Sequence, residues 1–217
     1  MQADLRDPAA RRRLYVTLAL KRAHPGSGSG PETLWARTWR RPVFDLRTIV
    51  QLPFVVVGGV ATRLYSPERM TDDLDVLILG ETADEFSDAL TRGGCRRLGR
   101  LAVGGSHWRM PDGVSLDVLE SDEAWAREAV AQPQQGPDGL PVIALPYLVL
   151  MKMQASRGID IGDLGRMLGA ADDAALGETR RVIGRYLLDG VEDLESLIFL
   201  GKLEYEATAR SDIPAPE

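Results

Sequence analysis

The feature that most constrains this chain is a short apolar strand that ends at two glycines. Residues 54–57, Phe-Val-Val-Val, form an apolar and largely β-branched run, and Gly58-Gly59 follows directly. Such a run predicts a buried strand. Residues 60–65 read as a short helix, so the glycines stand where a strand gives way to a helix N-terminus. Free backbone N–H groups at that point suit a phosphate, and glycines let the backbone approach it closely.

Three aspartates are placed to form a cluster of carboxylates. Asp73 and Asp75 open a second apolar strand over residues 74–79, and their i, i+2 spacing puts both side chains on one face of a sheet. Asp117 lies inside another predicted strand, residues 114–119, where a lone carboxylate costs stability unless it is paired or bound to metal. If the two strands are neighbours, the three carboxylates converge. Carboxylate oxygens are the ligands that Mg²⁺ prefers.

The remaining pattern predicts an α/β (α+β) fold, with a mixed-sheet core followed by a helical C-terminal subdomain. Turn-forming glycines separate short strands in the middle of the chain, and the pattern becomes wholly helical from Pro146 onward. The further predicted elements are a helix over 82–90, strands over 98–103 and 106–110, a helix over 122–131, a short strand over 142–144, and helices over 146–156, 160–170, 176–188 and 191–206.

The charge distribution and the predicted secondary structure together divide the chain into three segments. Residues 1–50 carry ten Lys/Arg and four Asp/Glu, whereas the chain as a whole has a net charge of −6. We therefore treat residues 1–50 as a basic N-terminal arm with a Gly/Ser linker, residues 51–145 as the core and residues 146–210 as the helical subdomain. The arm suits either a contact with a polyanion or a solvated helix with an intramolecular contact to the acidic remainder.

Several classes of protein are disfavoured by composition. The longest apolar stretches are too short for a membrane span and are interrupted by Gly or Pro. Asp4 and Asp7, without an apolar run, argue against a signal peptide. Cys95 is the sole cysteine, which excludes an internal disulfide and favours a reducing compartment. We expect a cytoplasmic protein with no membrane partner.

Residues 55–61 and 69–77 together resemble the signature of the DNA polymerase beta-like nucleotidyltransferase superfamily. The signature is an apolar strand, Gly-Gly, a spacer and Asp-x-Asp between apolar residues. Here the spacer covers residues 60–72, which is long for the superfamily. Within the superfamily, Gly-Gly-x-Ala with Arg-x-Thr-x-Asp-x-Asp looks most like the AbiEii-type toxins. The resemblance implies that Asp73, Asp75 and Asp117 are catalytic and hold the metal.

A second match lies in the predicted helices. Residues 146–157 resemble the family's apolar helix that carries a lysine, and an aspartate pair follows, although the family's Lys-Asp step is altered here to Gly158-Ile159-Asp160. Lys152 would reach the phosphates as a point charge, with Asp160 or Asp163 orienting either this lysine or Arg157. The alternative is a structural salt bridge between helices. The implied nucleotide-binding residues are Gly58, Gly59, Arg69, Thr71, Lys152, Asp160 and Asp163.

The resemblance implies transfer of a nucleoside monophosphate from an NTP to a hydroxyl, with Mg²⁺ or Mn²⁺ as cofactor. The toxin branch implies the tRNA 3′ end as acceptor and a cognate antitoxin as partner. Three alternatives stay open: a small-molecule enzyme of the aminoglycoside or lincosamide kind, a protein-modifying enzyme, and a non-catalytic nucleotide-binding module. His107, in a predicted strand, has two interpretations: contact with the base or acceptor, or a packed or exposed strand histidine.

Overall fold

The computed structural model describes residues 5–23, 44–66, 71 and 73–210, with the backbone alone over 205–210. The described residues form two compact units. The sheet unit takes in residues 44–64, 71 and 73–144, and the helical unit takes in residues 5–23, 65–66 and 145–210. The linker at residues 25–31 and the predicted phosphate ligand Arg69 lie outside the described residues.

The described chain contains eight α-helices and seven strands. In chain order they are α1 Pro8–Arg22, β1 Val55–Val57, α2 Gly58–Tyr65, β2 Leu74–Leu79, α3 Ala83–Arg92, β3 Arg96–Arg100, β4 Ser106–Arg109, β5 Ser115–Ser121, α4 Ala124–Ala131, β6 Gln134–Gln135, β7 Pro141–Val142, α5 Leu145–Ala155, α6 Gly158–Ala170, α7 Asp173–Tyr186 and α8 Val191–Arg210. Short 3₁₀ turns occur at Leu46–Thr48, Gly80–Thr82 and Leu188–Gly190.

The seven strands form one mixed sheet in the order β3-β4-β5-β2-β1-β7-β6. The pairs β2–β5 and β1–β7 are parallel, and the other neighbours are antiparallel. The β1 residues are fully buried, as the apolar run over residues 54–57 predicts. The predicted fold class is therefore confirmed: a mixed sheet comes first, and helices form the C-terminal part.

Strand β3 begins and ends earlier than the sequence pattern predicts. The apolar residues of segment 98–103 suggested a strand there, but the strand runs from Arg96 to Arg100. The reason is the following turn, in which Leu101 N–H bonds to the Gly105 carbonyl and Gly104 N–H bonds to the Leu101 carbonyl. All five β3 residues are exposed, because β3 is an edge strand and buries no apolar face.

In the helical unit, α6 and α8 cross at a point where only glycine fits. A Cβ added to Gly201 on α8 would lie 2.1 Å from the carbonyl oxygen of Gly165 on α6. A Cβ added to Gly169 on α6 would lie 2.5 Å from the carbonyl oxygen of Gly201. The two backbones are therefore in direct contact, and the apolar side chains on either side, such as Leu164 and Leu197, are fully buried.

Helix α1 packs within the helical unit and is held there by a buried arginine. Arg12 is 1% exposed, and its guanidinium lies 2.7 Å from Asp193 and 2.9 Å from Asp189. The neighbouring Arg11 donates to the carbonyls of Ala155 and Ser156 at the end of α5. Part of the positive charge in residues 1–50 thus serves intramolecular contacts, one of the two interpretations left open by the sequence.

No helix in the described part of the chain is both long enough and apolar enough to cross a lipid bilayer.

The glycine contact between α6 and α8 generates a stability prediction. Gly201→Ala should lower the free energy of unfolding by about 1–3 kcal/mol, because the added methyl meets backbone atoms that have no room to move. The matched control is Gly184→Ala in α7, where an added Cβ meets nothing within 4 Å. That change should raise the free energy by roughly 0.5–1 kcal/mol, since alanine is the better helix former. Urea unfolding of both variants measures the two free energies. Equal changes in the two variants would contradict the close contact between α6 and α8.

Candidate active site

The parallel pairing of β2 with β5 places two of the three predicted carboxylates side by side. Asp75 on β2 is the register partner of Asp117 on β5. Both residues are half-buried, and neighbouring strands lie about 4.8 Å apart. Register partners in adjacent strands point to the same face of the sheet. The condition set by the sequence, that the two strands be neighbours, is therefore met, and Asp75 and Asp117 share one face.

Asp73 stands at the same edge, just before β2 begins. It precedes Asp75 by two residues, and it is exposed to solvent. Its backbone N–H bonds to the hydroxyl of Thr71 at 3.4 Å. Thr71 also accepts a hydrogen bond at its carbonyl oxygen from the guanidinium of Arg63 on α2. Arg63 was not singled out in the sequence, since nothing in a helical arginine reveals a partner eight residues further along the chain.

Gly58 and Gly59 pack against Asp75 and Thr71, and neither position has space for a side chain. Gly58 has φ of +62°, and a Cβ on it would lie 1.9 Å from a carboxylate oxygen of Asp75. A Cβ on Gly59 would lie 2.8 Å from the Thr71 methyl group. The Asp75 carboxylate and the Thr71 side chain thus occupy the space that a Cβ at Gly58 and Gly59 would need. Helix α2 begins at Gly58, and the first N–H groups of a helix have no partner within it.

His107 on β4 faces Asp117, and its predicted contact with the base or acceptor stays a prediction. The two residues are register partners, and His107 Nδ1 lies 2.5 Å from Asp117 Oδ1. Both side chains are about one-third exposed. The sequence contained the information to place this contact. The hairpin turn pairs Met110 with Val114, and counting back three residues on one strand and forward three on the other pairs His107 with Asp117.

The chemistry of the donor set fits a magnesium ion. Asp73, Asp75 and Asp117 offer hard carboxylate oxygens along one edge of a rigid sheet. Among the residues that the structure describes, no three His, Cys, Asp or Glu side chains converge into a preformed metal cage. Mg²⁺ does not require one, because it is commonly held by one or two carboxylates together with substrate phosphates and waters. Asp75 and Asp117 supply that pair.

Lys152, Asp160 and Asp163 belong to the helical unit and form a buried ion cluster there. Lys152 is 4% exposed, and its Nζ lies 2.7 Å from Asp163 and 3.3 Å from Asp160. Both carboxylates are almost completely buried, and each contacts a second cation, Arg157 or Arg166. The pairing of Lys152 with the two aspartates is the local arrangement that both interpretations of this lysine require. Its predicted contact with phosphate remains a prediction.

Neither a protein-family model nor a curated protein matches this chain. Among solved structures, a crystal structure of ANT(2″)-Ia in complex with adenylyl-2″-tobramycin is 22% identical, covering 70% of this chain and 87% of that one, with a TM-score of 0.35. A solution structure of the same antibiotic-resistance factor gives 21% identity, 74% and 87% coverage, and a TM-score of 0.39. The Bradyrhizobium diazoefficiens CD-NTase CdnG in complex with GTP is 14% identical, with 96% and 93% coverage and a TM-score of 0.28.

The buried lysine cluster generates a second stability prediction. Lys152→Met should lower the free energy of unfolding by roughly 3–5 kcal/mol, because it leaves two buried carboxylates with reduced compensation. The triple variant Lys152→Met/Asp160→Asn/Asp163→Asn removes the uncompensated charge and should recover most of that loss. Lys202→Met serves as the control, since Lys202 is only half-buried and bonds to a single carbonyl. Chemical denaturation measures all three, and a Lys152→Met protein as stable as the parent would argue against a structural cluster.

Proposed function

We propose that this chain is a metal-dependent nucleotidyltransferase that moves a nucleoside monophosphate from an NTP to a hydroxyl acceptor, releasing pyrophosphate. One observation carries the proposal: Asp75 and Asp117 are register partners on one sheet face, with Gly58 pressed against the Asp75 carboxylate. Carboxylates beside a glycine-bounded helix N-terminus combine a place for a divalent cation with a place for phosphates.

The residues take complementary roles in this reaction. Asp73, Asp75 and Asp117 would hold Mg²⁺ or Mn²⁺, which supplies charge neutralisation at the phosphates and activation of the attacking hydroxyl. The backbone N–H groups that follow Gly58 and Gly59 bind the triphosphate, and the Thr71 hydroxyl adds a donor. The acceptor oxygen bonds to the α-phosphorus, the bond from that phosphorus to the bridging oxygen breaks, and pyrophosphate leaves with the electron pair.

Asp117 is the proposed acceptor of the hydroxyl proton. Its carboxylate is held by His107 at 2.5 Å, so one of its oxygens has a fixed direction. His107 is therefore a positioning residue in this proposal. Lys152 and Arg69 are the additional cations that the family resemblance implies for the triphosphate, with Asp160 and Asp163 holding the lysine.

For the acceptor we propose an RNA 3′ hydroxyl, with the tRNA end and a toxin role as the form implied by the AbiEii-like motif. A toxin of this kind would be paired with an antitoxin protein. A small-molecule acceptor of the aminoglycoside kind, a protein acceptor, and nucleotide binding without catalysis are the alternative outcomes of the test below.

The decisive experiment incubates the intact protein with Mg²⁺, each of the four α-labelled NTPs, and either total RNA, an aminoglycoside, or a cell protein extract. The parent should label RNA. Asp75→Asn and Asp117→Asn should each lower the rate by more than about 100-fold, the upper end of the loss seen when a partner of a metal ligand is removed. Asp84→Asn is the matched control, because Asp84 is an exposed aspartate on α3 of the same unit.

Each outcome of that experiment has a defined meaning. Label on the aminoglycoside or on protein, with none on RNA, would show that the acceptor is not RNA but would support the proposed reaction. Absence of label in all three arms, together with absence of metal-dependent NTP binding in calorimetry, would overturn the proposed enzyme. Equal rates in Asp75→Asn and Asp84→Asn would overturn the assigned site.

The glycine contact gives a separate prediction for nucleotide binding. Gly58→Ala should abolish Mg²⁺-dependent NTP binding in calorimetry, because the new methyl occupies the space of the Asp75 carboxylate. Gly113→Ala is the matched control: Gly113 also has a positive φ, of +89°, but an added Cβ there meets nothing within 4 Å. Both variants bear the backbone strain of a left-handed alanine, roughly 1–2 kcal/mol. NTP binding by Gly58→Ala at the level of Gly113→Ala would contradict the role of this glycine.

A further inference from the structure

The segment that begins in α3 and continues through β4 is strongly basic in an acidic protein. Between Asp88 and Asp112 the chain contains five arginines and no Asp or Glu, although the net charge of the whole is −6. The arginines are Arg92, Arg96, Arg97, Arg100 and Arg109, and all are exposed. We call Arg96 to Arg109, the β3–β4 hairpin, the basic ribbon.

Within the described residues these arginines have no carboxylate partner. Arg109 donates to the carbonyl of Gly113 at 2.9 Å, Arg92 contacts a carbonyl of its own helix, and Arg97 lies over the ring of Trp108 at 5.8 Å. These contacts hold the side chains in place but do not neutralise their positive charges. Uncompensated cations on a rigid ribbon attract polyanions.

The strand register divides the basic ribbon between two faces. Arg109 lies two residues from His107 on β4, and Arg96 is the register partner of Arg109. His107 is in turn the partner of Asp117, so Arg96 and Arg109 lie on the carboxylate face. Arg97 and Arg100 are partners of the buried Trp108 and Ser106 and therefore belong to the opposite face.

The order of strands puts these two arginines on the side of the carboxylates away from the glycine pair. Gly58 follows β1, the aspartates stand on β2 and β5, and Arg109 and Arg96 follow on β4 and β3. With about 4.8 Å between strands, Arg109 lies roughly 10 Å and Arg96 roughly 14 Å from β2 across the sheet. The donor nucleotide occupies the glycine side in the proposed reaction, so the arginine side is left for the acceptor.

We infer that Arg96 and Arg109 form the acceptor surface of this enzyme and bind the phosphodiester backbone of a single-stranded RNA end. The inference rests on the proposed function and assigns the residues that bind its RNA acceptor. A row of cations leading to the carboxylates matches a strand whose phosphates continue away from a reacting 3′ hydroxyl. An aminoglycoside is a polycation, which the two arginines repel. Binding to an anionic membrane requires positive charges clustered on one surface, whereas these arginines are divided between two faces of the sheet.

The test measures binding of a fluorescent single-stranded RNA oligonucleotide with a free 3′ hydroxyl to the intact protein, by anisotropy over a range of salt. NTP and metal are absent, so the result is independent of catalysis. The variant is Arg96→Gln/Arg109→Gln. The matched control, Arg92→Gln/Arg100→Gln, removes the same charge from exposed positions off the carboxylate face. The site variant should lower the slope of log K against log salt by about 1.4, since each single-strand phosphate contact contributes about 0.7. The control should keep the parent slope.

The remaining outcomes overturn the inference or separate it from the proposed function. Equal losses in the two double variants, or no RNA binding by the parent alongside binding to phosphatidylserine vesicles, would overturn the acceptor surface. Loss of Mg²⁺-dependent NTP binding in Arg96→Gln/Arg109→Gln would also overturn it, because the arginines would then serve the donor nucleotide. RNA binding that depends on these arginines, without any transfer of label to RNA, would leave the surface standing while the proposed function fails.

Discussion

The parallel pairing of β2 with β5 is the contact on which the candidate site depends. It sets Asp75 beside Asp117 at the strand spacing of a sheet, which side-chain packing alone could not fix so closely. In the proposed function a divalent cation binds at these two carboxylates and offsets the repulsion between them. The neighbouring strands complete the site, since β1 leads into Gly58 and β4 carries His107.

The sequence predicted the parts of the fold that bury an apolar face. Strand β2 covers the predicted residues 74–79, and the helix after β1 was found with a start at Gly58 instead of residue 60, because burial imposes a strong apolar pattern. Strand β3 was misplaced for the opposite reason. It is an exposed edge strand in which arginine outnumbers apolar residues, so a pattern based on burial pointed to the apolar turn residues that follow it.

The candidate site was partly predictable for similar reasons. Asp75 and Asp117 follow from strand membership, but their pairing requires knowing which strands are neighbours. The contact of His107 with Asp117 follows from counting along a hairpin. The pairing of Lys152 with the following aspartates was anticipated from the sequence, but a contact with phosphate does not follow from it, because a lysine in an apolar helix looks the same with or without one.

The arginines of β3 also bear on how the sheet avoids joining other sheets. An open sheet has two edges whose unpaired backbone groups invite strands from other molecules, and charged or very short edge strands oppose this. Here β3 carries arginine at three of its five positions, and at the other edge β6 has only the two residues Gln134–Gln135. One edge is thus protected by charge and the other by brevity. Neutralising the β3 arginines would therefore leave an edge that other molecules can pair with, and the solubility of the protein would fall.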